Sequence, residues 1–173
     1  MIVLRGKLVE NRPIDIVRDA WRTITRAAYR AVGLYWVQHF LPLHFGPGAG
    51  QRYGYQFRTR GYQLRKDRQF AAGRPMSKGG APVVAGSDTP LVLTGRMKQD
   101  VMSQNVVRGF PTRATVYLYG PQYMTTRFFK KRQPDKPKEL TTVRGDEAEE
   151  LAKVLRNELL AGIAAVRGTK VTE

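Results

Sequence analysis

The stretch IDIVRDAWRTITRAAYRAVGLYWVQHFL, residues 14–41, decides the fold. Its apolar residues Ile14, Val17, Trp21, Ile24, Ala28, Ala31 and Tyr35 recur at intervals of three and four, which places them on one face of an α-helix. Arg18, Arg22, Arg26 and Arg30 recur four apart on another face. Upstream, Asn11 offers a cap, Pro13 suits a first turn, and Asp15 complements the positive helix end. The pattern runs on through Val37 and Leu41 and stops at Pro42. A helix over 14–41 is about 40 Å long at 1.5 Å per residue, and Gly33 is its expected bend. The arginine row reads first as the solvated side of an amphipathic helix, and second as a surface for nucleic acid or an acidic neighbour.

A second helix is expected from Asp146 to about Gly168. Ala148, Leu151, Leu155, Leu159 and Ile163 form its apolar stripe, and Asp146 and Glu149 have the spacing of a capping box. Between the two helices the signals are weaker. Residues 112–119 alternate Ala114, Val116 and Leu118 with Arg113, Thr115, Tyr117 and Tyr119, which is a strand pattern. Residues 2–9 read as a short strand, 91–93 and the run to Val107 as strand-like, and 139–143 as a last strand. Residues 42–90 show no helical period and read as a long inserted loop. Within it, 73–90 (GRPMSKGGAPVVAGSDTP) reads as a flexible extension, and 130–138 (KKRQPDKPK) reads as a charged loop. The expected architecture is α+β in a single domain over 1–173. A long N-terminal helix and a C-terminal helix pack on a small, mostly antiparallel sheet, with long extended loops.

The chain has 173 residues, 42% of them hydrophobic, which is enough for a core. Thirty Lys and Arg stand against 14 Asp and Glu, a formal charge of +16. Such a field favours a polyanion or an acidic protein as partner. With no cysteine, disulfides, thiolate metal sites and Cys nucleophiles are excluded. Residues 1–13 lack the layout of a signal peptide, and no stretch approaches the roughly 18–20 apolar residues of a membrane span. A soluble protein without membrane contact is therefore expected.

Residues 44–68, HFGPGAGQRYGYQFRTRGYQLRKDR, interleave Arg52, Arg58, Arg60, Arg65, Lys66 and Arg68 with Tyr53, Tyr55, Phe57 and Tyr62. Arg and Tyr are enriched at the centres of protein interfaces. The same mixture can pair phosphates and stack bases of single-stranded nucleic acid. The interface reading is preferred. Gly46 to Gly50 lack the Gly-Lys-Ser/Thr ending of a phosphate loop and read as a hinge. His39 and His44 straddle Pro42 with no carboxylate nearby, a poor metal set. Asp146, Glu147, Glu149 and Glu150 suit a helix N-terminus without further function. They are also a candidate partner for the basic loop of another copy, and such complementarity can close a head-to-tail ring. No catalytic constellation and no cofactor motif emerges, so a non-enzyme is expected.

Five elements follow one another in a recognisable order. They are Leu41-Pro42-Leu43-His44-Phe45, then Arg52-Tyr53-Gly54-Tyr55-Gln56-Phe57-Arg58, then Tyr62 to Lys66, then Pro90 to Met97, then Glu139-Leu140-Thr141 ahead of the acidic helix. Over residues 35–160 this order resembles small virion-morphogenesis proteins of long-tailed phages, of the neck or tail-completion (head–tail connector) type. The resemblance implies a structural virion protein without cofactor, assembled in the host cytoplasm. It implies a homo-oligomeric ring, six- or twelve-fold, joining portal or adaptor to tail proteins and letting genomic DNA pass. The alternative is a stand-alone basic nucleic-acid-binding module that uses the Arg/Tyr loop.

Overall fold

The computed structural model describes residues 2–5, 18–56, 58–76, 78–92, 95–121 and 135–169. In chain order the regular elements are β1 (Ile2–Arg5), α1 (Arg18–Tyr35), α2 (Ala49–Arg52), α3 (Arg60–Ala71), α4 (Arg96–Ser103), β2 (Asn105–Phe110), β3 (Arg113–Leu118), α5 (Lys136–Leu140) and α6 (Gly145–Thr169). The fold is α+β, as the sequence leads one to expect. The chain divides into two compact units, each assembled from separate stretches. The first takes Met1–Gln38, Val106–Tyr117 and Arg144–Glu173; the second takes His39–Asn105 and Leu118–Val143.

In the first unit α1 is the centrepiece. Its expected start at 11–17 lies outside the described residues. Ile24 and Ala28 bury against Leu159 of α6, with Trp21, Leu155, Ile163 and Val166 closing the edges of the contact. These are the two apolar stripes read from the sequence, meeting face to face. Another side of α1 packs on the sheet, whose strand order is β1-β3-β2. β1 runs antiparallel to β3, with Val3 opposite Thr115 and Arg5 opposite Arg113. Only Pro111 and Thr112 separate β2 from β3, a connection short enough to make the pair a hairpin. Gly33, the expected bend, is a place of close approach. A Cβ there would lie 2.5 Å from Val107 Cγ1, so glycine lets helix and strand approach.

Two details of α6 differ from expectation. Ala148 is exposed, whereas Glu147 is 1% exposed. The Glu147 carboxylate accepts the Arg144 backbone N–H at 3.3 Å. The reciprocal acid of the helix start therefore sits at Glu147, two residues before the Glu149 that capping-box spacing singled out.

The chain passes from the first unit to the second within one wide π turn, Trp36–Phe40, followed by a 3-10 turn, Leu41–Phe45. Pro42 explains both. It has no N–H for the Gln38 carbonyl and its ring crowds that carbonyl, so the α pattern must loosen and then tighten. Trp36 and Leu41 are fully buried on either side of the change.

The supposed loop 42–90 contains α3, twelve residues long. Its signals were local. The Thr59 hydroxyl accepts the Tyr62 N–H at 3.3 Å, and Gly73 ends the helix at φ +61°. Its one fully buried residue is Lys66, so no apolar stripe marks it. About half of the described residues in 73–90 are exposed, and a few ties hold the stretch. Pro75 and Pro82 form a bridge, Val83 donates to the Arg74 carbonyl at 3.2 Å, and Val83 and Thr89 are buried.

The strand expected over 91–107 starts only at Asn105. Residues 96–103 form α4, with Met97 and Val101 buried one turn apart; 93–94 lie outside the described residues. The strand expected over 139–143 is also corrected. Asp135 caps and Pro137 opens a short helix, α5, that ends at Leu140. Of the charged loop 130–138, residues 130–134 lie outside the described residues. Among the described residues no helix is long and apolar enough to cross a membrane.

Candidate interaction surface and its buried support

The Arg/Tyr segment begins at a set of turns. Gly46 donates to the Leu43 carbonyl, Tyr53 to Ala49, and Tyr55 to Gly50. Gly48, at φ +73°, opens α2 in a conformation that favours glycine. These turns stack three rings. His44 lies 3.7 Å from Tyr53 at 12°, and Tyr53 lies 5.9 Å from Tyr55. His44 Nδ1 and the Tyr55 hydroxyl share a hydrogen bond of 2.6 Å. Burial lowers the His44 pKa to about 4; a backbone hydrogen bond involving Glu139 raises it in part and the charge of Arg52 lowers it further.

Beside the rings sits an ion pair joining residues 81 positions apart. Arg58 Nη1 and Nη2 donate to Glu139 Oε1 and Oε2, both at 2.6 Å. The Gln56 backbone N–H donates to the same carboxylate at 2.9 Å. The Asp135 N–H donates to the Gln56 side-chain oxygen at 3.1 Å. The two charged side chains are 9% and 6% exposed. This is a bidentate, desolvated pair with its remaining carboxylate capacity used by backbone. Lys136, on the same short helix as Glu139, has its pKa lowered by burial first and by the Arg58 charge second.

A third buried polar contact ties α3 to the loop beyond it. The Lys66 ammonium donates to the Thr89 carbonyl at 2.7 Å. Burial lowers its pKa to about 8, against the pull of Asp88 and Asp67. Asp67 accepts the Ser87 N–H at 2.6 Å and its hydroxyl at 2.8 Å, and these bonds hold its carboxyl low. Tyr62, on α3, is pushed up by burial.

The residues read as one basic loop therefore separate into two groups. Tyr53 and Lys66 are buried, and Tyr55, Arg58 and Tyr62 are partly so. Arg52, Arg60, Arg65 and Arg68 are exposed, with Arg65 reaching the Met76 carbonyl. Phe57 lies outside the described residues. Four elements of the ordered resemblance meet here: the Leu-Pro-Leu-His-Phe turn, the Arg-Tyr-Gly-Tyr segment, the Tyr62 to Lys66 turn, and Glu139.

In the first unit Arg18, Arg22, Arg26 and Arg30 are all exposed. Arg22 lies 3.8 Å from Asp19, whose side chain is 89% exposed, a contact of little energy. Asp146, Glu149 and Glu150 are exposed while Glu147 is not, and Asp146 pairs with Arg144 Nε at 3.0 Å. Sequence reading missed Arg108 and Arg113. Their guanidinium groups lie over Tyr117 at 5.4 Å and over Phe110 at 4.9 Å. The signal was present, since these residues alternate along the hairpin.

Among the described residues no group of three or more His, Asp or Glu is placed to hold a metal ion. In the second unit, exposed cations accompany the buried Arg58–Glu139 and Lys66–Thr89 contacts. Compared with known proteins, the chain matches no family model, no curated protein and no solved structure.

Proposed function

We propose that this protein is a structural subunit of a phage head–tail junction, a neck or tail-completion protein that assembles as a ring through which DNA passes. The observation that supports the reading most is the buried Arg58–Glu139 pair. It links two elements of the ordered resemblance that stand far apart in sequence, and the His44–Tyr53 stack joins a third to them. A chance succession of short motifs has no reason to converge on one set of contacts. The charge of +16 also fits, because a subunit facing DNA or acidic neighbours has a use for it.

Arg52, Arg60 and Arg68 project from one unit, and Asp146, Glu149 and Glu150 belong to the other. A chain bearing both signs on separate surfaces can bind the next copy head to tail, and a head-to-tail contact either closes into a ring or runs on as a filament. Native mass spectrometry of particles purified from producing cells tests the reading. The expected result is this chain in fixed stoichiometry with portal and tail proteins. A free monomer carrying nucleic acid, without virion partners, would replace it with the stand-alone nucleic-acid-binding module.

A further inference from the structure

The exposed arginines of α3 do not form a row. Arg60, Arg65 and Arg68 scatter around the helix, and Asp67 lies among them. On α1 the geometry is different. Arg18, Arg22, Arg26 and Arg30 project at one-turn intervals, about 6 Å apart, over about 18 Å of helix. Thr23 and Ala27, small and exposed, lie beside them and leave room for close approach. Among the described residues the only carboxylate paired with the row is the exposed Asp19.

Two contacts fix what surrounds this row. A Cβ on Gly109 would fall on the backbone of Arg26 and Arg30, so β2, an outer strand of the sheet, runs beside it. Arg108, next to Gly109 on the strand, alternates to the opposite face of the sheet, where it lies over Tyr117, and is not part of the row. On the other side, Gly162 of α6 touches Ile24. The acidic start of α6 lies more than ten residues from Gly162, about 20 Å along the helix.

We infer that the Arg18–Arg30 row of α1 is a sequence-independent contact for the phosphate backbone of duplex DNA. The complementarity is one of charge and spacing. An evenly spaced row of permanent cations, winding slowly around α1, meets a polyanion that presents about one charge per 1.7 Å of axis. Arg pairs phosphate through a planar fork and stays charged at any working pH. The row holds no Asn or Gln to read base edges and no exposed aromatic to stack unpaired bases, so it is suited to duplex rather than single strands. The inference shares with the proposed function only its choice of DNA, and it does not depend on a ring.

The test is binding of the full chain to a short random-sequence DNA duplex across a salt series. Three substitution sets are compared: Arg22→Gln/Arg26→Gln/Arg30→Gln, the charge-keeping Arg22→Lys/Arg26→Lys/Arg30→Lys, and Arg60→Gln/Arg68→Gln/Arg74→Gln on and after α3. Each phosphate contact contributes about 0.9 to the slope of log K against log salt, so the first set is expected to flatten the slope by about 3. The lysine set should keep the slope, and the α3 set should leave it unchanged. An equal flattening by the α1 and α3 glutamine sets overturns the inference. So does tighter binding of a single-stranded oligonucleotide, or of polyglutamate, than of duplex. Absence of duplex binding at low salt overturns it too, while leaving the particle composition to judge the ring.

Discussion

Glu139 shows what a buried charge does for this chain. Its carboxylate holds both guanidinium nitrogens of Arg58 and the Gln56 N–H. Glu139→Leu leaves Arg58 desolvated without a counter-charge, and breaking such a pair costs about 3–5 kcal/mol. Urea unfolding should therefore show a large fall in midpoint for Glu139→Leu, and the double variant Arg58→Met/Glu139→Leu should recover most of it. A double variant as unstable as the single one would mean that the pair is not the source of the loss. His44 gives a pH dependence whose sign follows from burial. Its folded pKa, about 4, is below the ordinary 6.5, so the unfolded chain binds the extra proton. Its contribution is intact above pH 6.5 and is lost as pH falls toward 4, by up to about 1.4 kcal/mol per pH unit. Chemical denaturation between pH 7 and 5 should show a steeper loss for the parent than for His44→Gln; parallel curves would remove His44 as the cause. None of these pairings was legible in sequence. Arg58 and Lys66 look like surface residues by type, and their partners Glu139 and Thr89 lie far along the chain.

Elements were legible where a face repeats and hidden where it does not. The stripes of α1 and α6 carry enough apolar residues at helical spacing to reveal both helices and their contact through Ile24 and Leu159. The strand over 113–118 announced itself by alternation. α3 buries a lysine where a stripe would put a leucine, and α5 is only five residues long. Such segments are fixed by caps and long-range polar contacts, which periodicity does not register. Glycine positions are the opposite case, visible in sequence but misread until the neighbours are known. At Gly33 an added methyl meets the Val107 side chain, which can shift, and the helix gains about 1 kcal/mol of propensity against an overpacking cost of about 1–3 kcal/mol. At Gly109 it meets the Arg26 carbonyl and the Arg30 backbone, which cannot shift without moving α1. Gly109→Ala is thus expected to cost at least about 3 kcal/mol in thermal or urea unfolding, and Gly33→Ala clearly less. Equal losses would mean that strand and helix are not in the close contact seen here.

At the scale of the whole molecule the charge is legible from composition, while its distribution is not. Tyr53, Arg58 and Lys66 are drawn inward, so the basic surface of the second unit reduces to side chains such as Arg52, Arg60, Arg65 and Arg68. The acidic patch of the first unit loses Glu147 to the helix start and keeps Asp146, Glu149 and Glu150. Copies of a chain with net charge +16 repel at long range, and that repulsion is screened over about 10 Å at 0.1 M salt. Association between copies then depends on close opposite charges that lie well inside the screening length. If the proposed ring closes through these surfaces, Glu149→Lys/Glu150→Lys should abolish association while leaving the melting midpoint nearly unchanged, because both side chains are exposed. Arg60→Glu/Arg68→Glu should do the same from the other side. Joined in one chain, the two reversals restore opposite signs across every contact, and association should return. The two singly reversed chains, mixed, should associate with each other in alternation although neither associates alone, because every contact between unlike chains joins a positive surface to a negative one. Analytical ultracentrifugation separates these outcomes. Loss of association in both reversed chains without recovery in the combined chain would show that the acidic and basic surfaces each meet something other than one another.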